Sequence, residues 1–127
     1  MKKGDFLFVY GTLRLGQSAD LTRTGGALFA GPDRVSGSLY ALGWFPGVKL
    51  DGETFDDAKP AVTGECFLIE DESITARLDH YEGHPHLFCR KVVKTESGRD
   101  AWVYEYMGST DYAASPVESG DWLTGEH

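Results

Sequence analysis

The stretch FLFVYGTLRLGQ, residues 6–17, decides how this chain folds. Residues 6–10 are aromatic or aliphatic without a polar break, the pattern of a strand buried on both faces rather than one with a wetted side. That strand runs directly into a loop, 11–17, which carries Gly11 and Gly16. The two glycines have the GxxxxG spacing of a phosphate-binding loop, but Gln17 stands where such a loop needs lysine, so a nucleotide site is not expected. A strand ending in a glycine turn can instead present successive backbone N–H groups to a carboxylate or a developing oxyanion. A plain tight turn is the other reading.

Outward from this strand, the chain is a series of short elements. In residues 18–31 the pair Gly25-Gly26 allows only a short helical turn before the chain extends again. Further strands are expected at 34–41, 47–50 and 61–69, each bounded by Gly, Pro or Asp. The period then changes: Ile74, Leu78 and Tyr81 recur at helical spacing, with Asp71 as N-cap and Gly83 as C-terminal stop, so a short helix carries Glu82 at its end. Segments 87–96 and 99–107, joined at SGR, read as a β-hairpin. In its second strand Trp102, Tyr104 and Tyr106 share a face that reads as core rather than as a binding platform. Trp122, near the C-terminus, is expected to pack back on the sheet. The expected fold is α+β: a small, mostly antiparallel, barrel-like sheet with one or two short helices, in a single domain over 1–127.

Charge excludes some functions. Twelve basic against 20 acidic residues give a formal charge of −8, the wrong sign for holding nucleic acid or an anionic membrane. The acidic stretches 51–57 and 70–72 lack the ligand spacing of a calcium loop and read as solvated turns. Near the N-terminus an apolar run of only five residues falls short of the ~7–15 that a secretion signal needs, and no membrane-length segment follows, so a cytoplasmic location is expected. Cys66 and Cys89 lack CxxC spacing and suit reduced, partly buried thiols.

One window, LDHYEGHPHLFCRK (78–91), holds His80, His84, His86, Glu82 and Cys89 and invites a metal reading. Against it, Pro85 separates two of the histidines, His80 belongs to the helix, and no second cluster supplies a fourth ligand. These histidines read as surface groups flanking a turn, and neither a metal nor a cofactor is expected. A metal-dependent hydrolase is the weaker alternative built on the same window.

VYGTL (9–13) at the strand end, LDHYEG (78–83) with its glutamate, Arg90 in the next strand and SGDW (119–122) occur in this order. In these motifs the chain resembles the γ-glutamylcyclotransferase-like family, which includes the γ-glutamylamine cyclotransferases, from Phe6 to Trp122. The resemblance implies acyl transfer with ring closure: the α-amino group of a small γ-glutamyl substrate attacks its own γ-carbonyl and releases 5-oxoproline and an amine. By that resemblance Glu82 is general base and then general acid, while Tyr10, Gly11, Thr12 and Leu13 line the substrate pocket. Arg14 is either a partner of the substrate carboxylate or an exposed loop arginine. Arg90 matches the arginine of the family's tyrosine-x-arginine stretch, in which Phe88 here replaces the tyrosine. A binding module that keeps the pocket for a glutamyl-like carboxylate without the chemistry is the alternative function. The wall that selects the amine is expected within loops such as 43–60, and no oligomeric state is implied.

Overall fold

The computed structural model describes residues 1–110 and 115–123. Strand β1 (Phe6–Val9) is followed by the short helix α1 (Leu21–Thr24), then β2 (Ala27–Ala41), β3 (Pro46–Leu50) and β4 (Ala61–Ile69). Helix α2 (Ile74–Glu82), β5 (Phe88–Lys94), β6 (Asp100–Tyr106) and the two-residue β7 (Ser115–Pro116) complete the chain. The single-domain reading over 1–127 also spans 111–114 and 124–127, which lie outside the described residues.

The sheet closes. Its strand order is β1-β4-β2-β3-β6, and β6 returns to pair with β1, while β5 continues the sheet beyond β6 and β7 pairs with β2. Most pairings are antiparallel, as expected, but β1–β6 and β3–β6 are parallel, so the five-stranded barrel is mixed. Both parallel contacts lie at the closure, with Phe6 opposite Ala101 and Val48 opposite Glu105.

Closure explains the unbroken apolar run in β1. Phe8 and Tyr10 turn into the barrel interior with Val35, Val48, Val62, Cys66 and Val103, so all five barrel strands contribute to that core. Leu7 and Val9 turn outward, where Leu78 and Ile74 of α2 cover them together with Phe67 and Ile69. A strand flanked by two cores has no face left for polar residues.

Two local expectations need correction. Strand β2 begins at Ala27 rather than at residue 34, because a register shift between Phe29 and Gly31 lets it pair with β4 across the Gly-Pro step. Such a bulge lets the strand bend without ending. Helix α2 takes Ser73, not Asp71, as its N-cap residue. The Asp71 carboxylate instead accepts from the Ser73 N–H at 3.0 Å, forming a turn ahead of the helix. The stop at Gly83 is as read: it adopts the left-handed conformation and its N–H bonds back to the Asp79 and His80 carbonyls.

The C-terminal motif is fixed by a close approach. At Gly120, φ is +70° and a Cβ would stand 2.1 Å from the Ala61 carbonyl oxygen, while the Gly120 carbonyl accepts from Thr63 N–H at 2.8 Å. Gly120→Ala is therefore expected to lose at least about 2 kcal/mol, because both the backbone angle and the contact reject a side chain. A urea titration in which the midpoint does not move would refute this. Trp122 packs against the barrel core, as expected. Among the described residues no helix is long and apolar enough to cross a membrane.

Candidate active site

Where β1 leaves the barrel, a cavity of about 250 Å³ opens between the 11–13 turn, residues 44–46, the end of α2 and the start of β5. Tyr10, Gly11, Thr12, Leu13 and Glu82, the five residues expected at a site, all line it. Residues 9–13 and 78–83 are thus brought to one place by the barrel's outer core, which clamps α2 against β1 through Leu78, Val9 and Leu13.

Glu82 sits on the last turn of α2 and faces a predominantly apolar wall that includes Phe8, Phe45, Phe88 and Tyr104. No hydrogen bond or ion pair from a described residue holds its carboxylate. Burial pushes its pKa up to about 7, which puts its change of charge in the neutral range.

Opposite lies the turn. The N–H groups of Gly11, Thr12 and Leu13 donate to no described residue, although Gly11 and Leu13 are buried. The carbonyls of the same residues are engaged, accepting from Arg14, Ala19 and Leu21 respectively. Buried N–H groups without partners are costly, so a run of them beside a cavity has the character of an anion cradle. The Thr12 hydroxyl and the Tyr81 hydroxyl lie 2.8 Å apart and tie the turn to the end of α2.

Tyr10 contributes its ring, not its hydroxyl. The phenol donates to the Tyr104 carbonyl at 2.6 Å and accepts from Val48 N–H at 3.3 Å inside the barrel. Burial first, then the nearby Glu82 charge, hold its pKa well above the usual phenol value, so it stays neutral.

Two arginines are held by the protein's own carboxylates. Arg14 is neither exposed nor free for substrate: it is 6% exposed, with Nε 2.6 Å from Glu65 and a terminal nitrogen 2.9 Å from Asp121. The second Glu65 oxygen accepts from Leu15 N–H at 2.9 Å, so the loop after Gly11 is clasped from β4 and from the SGDW motif together. Arg90 turns away from the cavity and grips Asp79 through Nε at 2.6 Å and a terminal nitrogen at 3.1 Å, with its guanidinium over Trp102. Asp79 precedes Glu82 by one helical turn and also accepts from the Tyr104 hydroxyl at 2.7 Å. Burial opposes the Asp79 charge, but the Arg90 and Tyr104 bonds outweigh it and keep the carboxyl below its usual pKa. Arg90 therefore acts on α2, and through it on the position of Glu82.

The sequence reading missed Tyr104 as a wall residue and Asp79 as its anchor. The only available signal was that Asp79 and Glu82 are three apart on one helix, a spacing that puts them on neighbouring parts of its surface. Phe88 forms part of the floor, against Phe45 and Tyr106, so the replacement of the family's tyrosine removes one hydroxyl from this wall. Of the loop 43–60, Trp44, Phe45 and Pro46 line this cavity, whereas residues 52–57 surround a different concavity. His84 is more than a surface group: its Nδ1 accepts from Arg90 N–H at 3.2 Å and its ring meets Tyr104 edge-on. Among the described residues no three His, Cys, Asp or Glu side chains are grouped to hold a metal, and neither cysteine is bridged.

Comparison with known proteins gives one family. The family model described as gamma-glutamyl cyclotransferase, AIG2-like matches residues 7–124. The gamma-glutamylcyclotransferase family protein YtfP of Escherichia coli K12 is 32% identical over 117 residues, covering 92% of this chain and 95% of that protein. The solution structure of Escherichia coli ytfP matches with a TM-score of 0.69 at 31% identity, covering 94% and 96% of the two chains. A crystal structure of an aig2-like protein from Mus musculus gives a TM-score of 0.69 at 25% identity, over 99% of this chain and 86% of that one.

Proposed function

The chain belongs to the gamma-glutamyl cyclotransferase, AIG2-like family, and from that premise we propose that it converts a γ-glutamyl amide to 5-oxoproline and a free amine. The observation that carries this reading is the pairing in one cavity of Glu82, whose pKa is about 7, with the N–H groups of Gly11, Thr12 and Leu13, all without a hydrogen-bond partner among the described residues.

In the proposed reaction the Glu82 carboxylate takes a proton from the substrate α-ammonium, and the freed nitrogen attacks the γ-carbonyl carbon. The carbonyl electron pair moves onto oxygen, where backbone N–H groups of the turn offset the developing charge. As the pair returns, the bond to the leaving nitrogen breaks and the Glu82 carboxylic acid gives that nitrogen its proton. A second proton, lost from the new ring nitrogen, follows by the same carboxyl group. Two protons thus leave the attacking nitrogen and two arrive on the departing amine, and nothing is oxidised or reduced. Since attack is intramolecular, the cavity has mainly to hold the glutamyl chain folded; such alignment is worth effective molarities of up to ~10⁵–10⁸ M.

The test is direct. Incubation with γ-glutamyl alkylamides, arylalkylamides and dipeptides should yield 5-oxoproline, measured by mass spectrometry. Binding of these compounds without product would favour a binding module instead. The kcat/KM profile should rise about tenfold per pH unit up to the Glu82 pKa of about 7 and then level, since only the carboxylate can accept the proton. A flat profile from about pH 5 to pH 8 would detach Glu82 from the proton transfer.

A further inference from the structure

The mouth of the same cavity carries information about the amine half of the substrate, and the inference drawn from it rests on the cyclotransferase reading. Trp44 stands at this mouth 82% exposed, beside Tyr81 and Leu87, which are 54% and 46% exposed. Single exposed apolar residues are ordinary, but three bordering one opening form a patch with a use. From this rim an aromatic series runs inward. Trp44 meets Phe45 edge-on with ring centroids 5.3 Å apart, and Phe45 meets Phe88 on the floor at 6.4 Å. These are the separations at which aromatic rings attract, and a further ring entering beside Trp44 would extend the series.

Charge narrows the choice. Among the described lining residues Glu82 is the one charged group, and no lysine or arginine joins it. Arg14, Arg90 and Lys91 are each paired with a carboxylate of the protein, Glu65 and Asp121, Asp79, and Glu105 respectively. The turn at Gly11–Leu13 has three N–H groups, which can be divided between the developing oxyanion and the α-carboxylate that every γ-glutamyl compound carries. A second carboxylate, as in a γ-glutamyl amino acid, would lie among aromatic rings without a cation and close to an acidic Glu82. We infer that the amine half is an uncharged arylalkylamine, that its ring packs on Trp44, and that γ-glutamyl amino acids are rejected by the missing cation.

Three probes, with γ-glutamylmethylamide as reference, isolate this. γ-Glutamylphenethylamide and γ-glutamylphenylalanine carry the same ring and differ by one carboxylate, while γ-glutamyl-4-aminobutylamide ends in an ammonium. The phenethylamide is expected to exceed both others in kcat/KM by at least tenfold. Trp44→Ala, a change at an exposed position, should lower the ratio of phenethylamide to methylamide turnover by about tenfold. Equal or better use of the phenylalanine compound, or a preference for the ammonium-ended amide through a cation–π contact, would overturn the inference, as would an unchanged ratio in the variant. Affinities of the same probes for Glu82→Gln, measured by isothermal titration calorimetry, give the ranking independently of chemistry. If no probe yields 5-oxoproline, the proposed activity fails, and this binding order still decides the inference.

Discussion

Glu82→Gln is expected to lower kcat for 5-oxoproline formation by ~10²–10⁴-fold with little change in KM, because glutamine keeps the shape of the side chain but can neither take nor return a proton. The same variant should be more stable than wild type in alkali. In the folded protein the Glu82 carboxyl titrates at about 7 rather than at its ordinary 4.5, so folding binds that proton more tightly than the unfolded chain does. Below about pH 4.5 the group is neutral in both states and the substitution should be nearly silent. As pH rises through the interval, wild type carries a growing cost of keeping a charge in an apolar wall, at most about 1.4 kcal/mol per pH unit. Since Glu82 is partly open to solvent at the mouth, a gain of roughly 1–3 kcal/mol for the variant by pH 8 is expected, read from urea midpoints at pH 4 and pH 8. Lost turnover with gained alkaline stability is the signature of a carboxyl group kept for chemistry at the expense of the fold. Turnover within about threefold of wild type would remove Glu82 from the mechanism.

How much of this was legible in the sequence depends on the range of the interaction. The run at 6–10 announced a strand with two buried faces, and the period of Ile74, Leu78 and Tyr81 announced α2, because each is decided by neighbours along the chain. The parallel closure of β6 on β1 was not legible: no local pattern distinguishes Ala101 opposite Phe6 from the partner it already has, Val93 in the antiparallel β5. The part of β2 before the bulge near Gly31 was not joined to the strand expected from residue 34, since a Gly-Pro step marks a strand boundary as readily as a bulge. At the site, resemblance supplied Glu82 and the 10–13 turn. Arg14 stayed open between a partner of the substrate carboxylate and an exposed loop arginine, and Arg90 was only matched to a family position, because an arginine's carboxylate partner can lie anywhere in the sequence. Glu65 is 51 residues from Arg14 and Asp121 is 107 residues away. The SGDW motif, at first only a supporting resemblance, gains a physical purpose from these contacts: Gly120 permits the close approach to β4, and Asp121 reaches Arg14.

That clasp leads to the other large expected effect. Arg14→Met should cost about 3–5 kcal/mol of stability, because it leaves two carboxylates facing each other in a largely buried place without their shared cation. The Arg14, Glu65 and Asp121 side chains are only 8%, 10% and 20% exposed, so water cannot easily take over. Lysine should rescue poorly: the guanidinium fork meets Glu65 with Nε and Asp121 with a terminal nitrogen at the same time, whereas an ammonium offers one point of charge. If the cost comes from the stranded charges, then adding Glu65→Gln to Arg14→Met should recover at least about 1 kcal/mol, a coupling measured by the double-mutant cycle in urea. Function should follow the loop. With Arg14 gone, the chain after Gly11 loses its tie to Asp121 and keeps only the Leu15 N–H bond to Glu65 as its tie to β4, so the N–H groups of Gly11, Thr12 and Leu13 lose much of their fixed aim. A fall of ~10-fold or more in kcat/KM is then expected even at temperatures where Arg14→Met remains folded, since a small misplacement of positioning groups is costly. Stability lowered by less than about 1 kcal/mol, with activity intact, would mean that the arginine is a bystander and that the glycine turn holds its shape without the clasp.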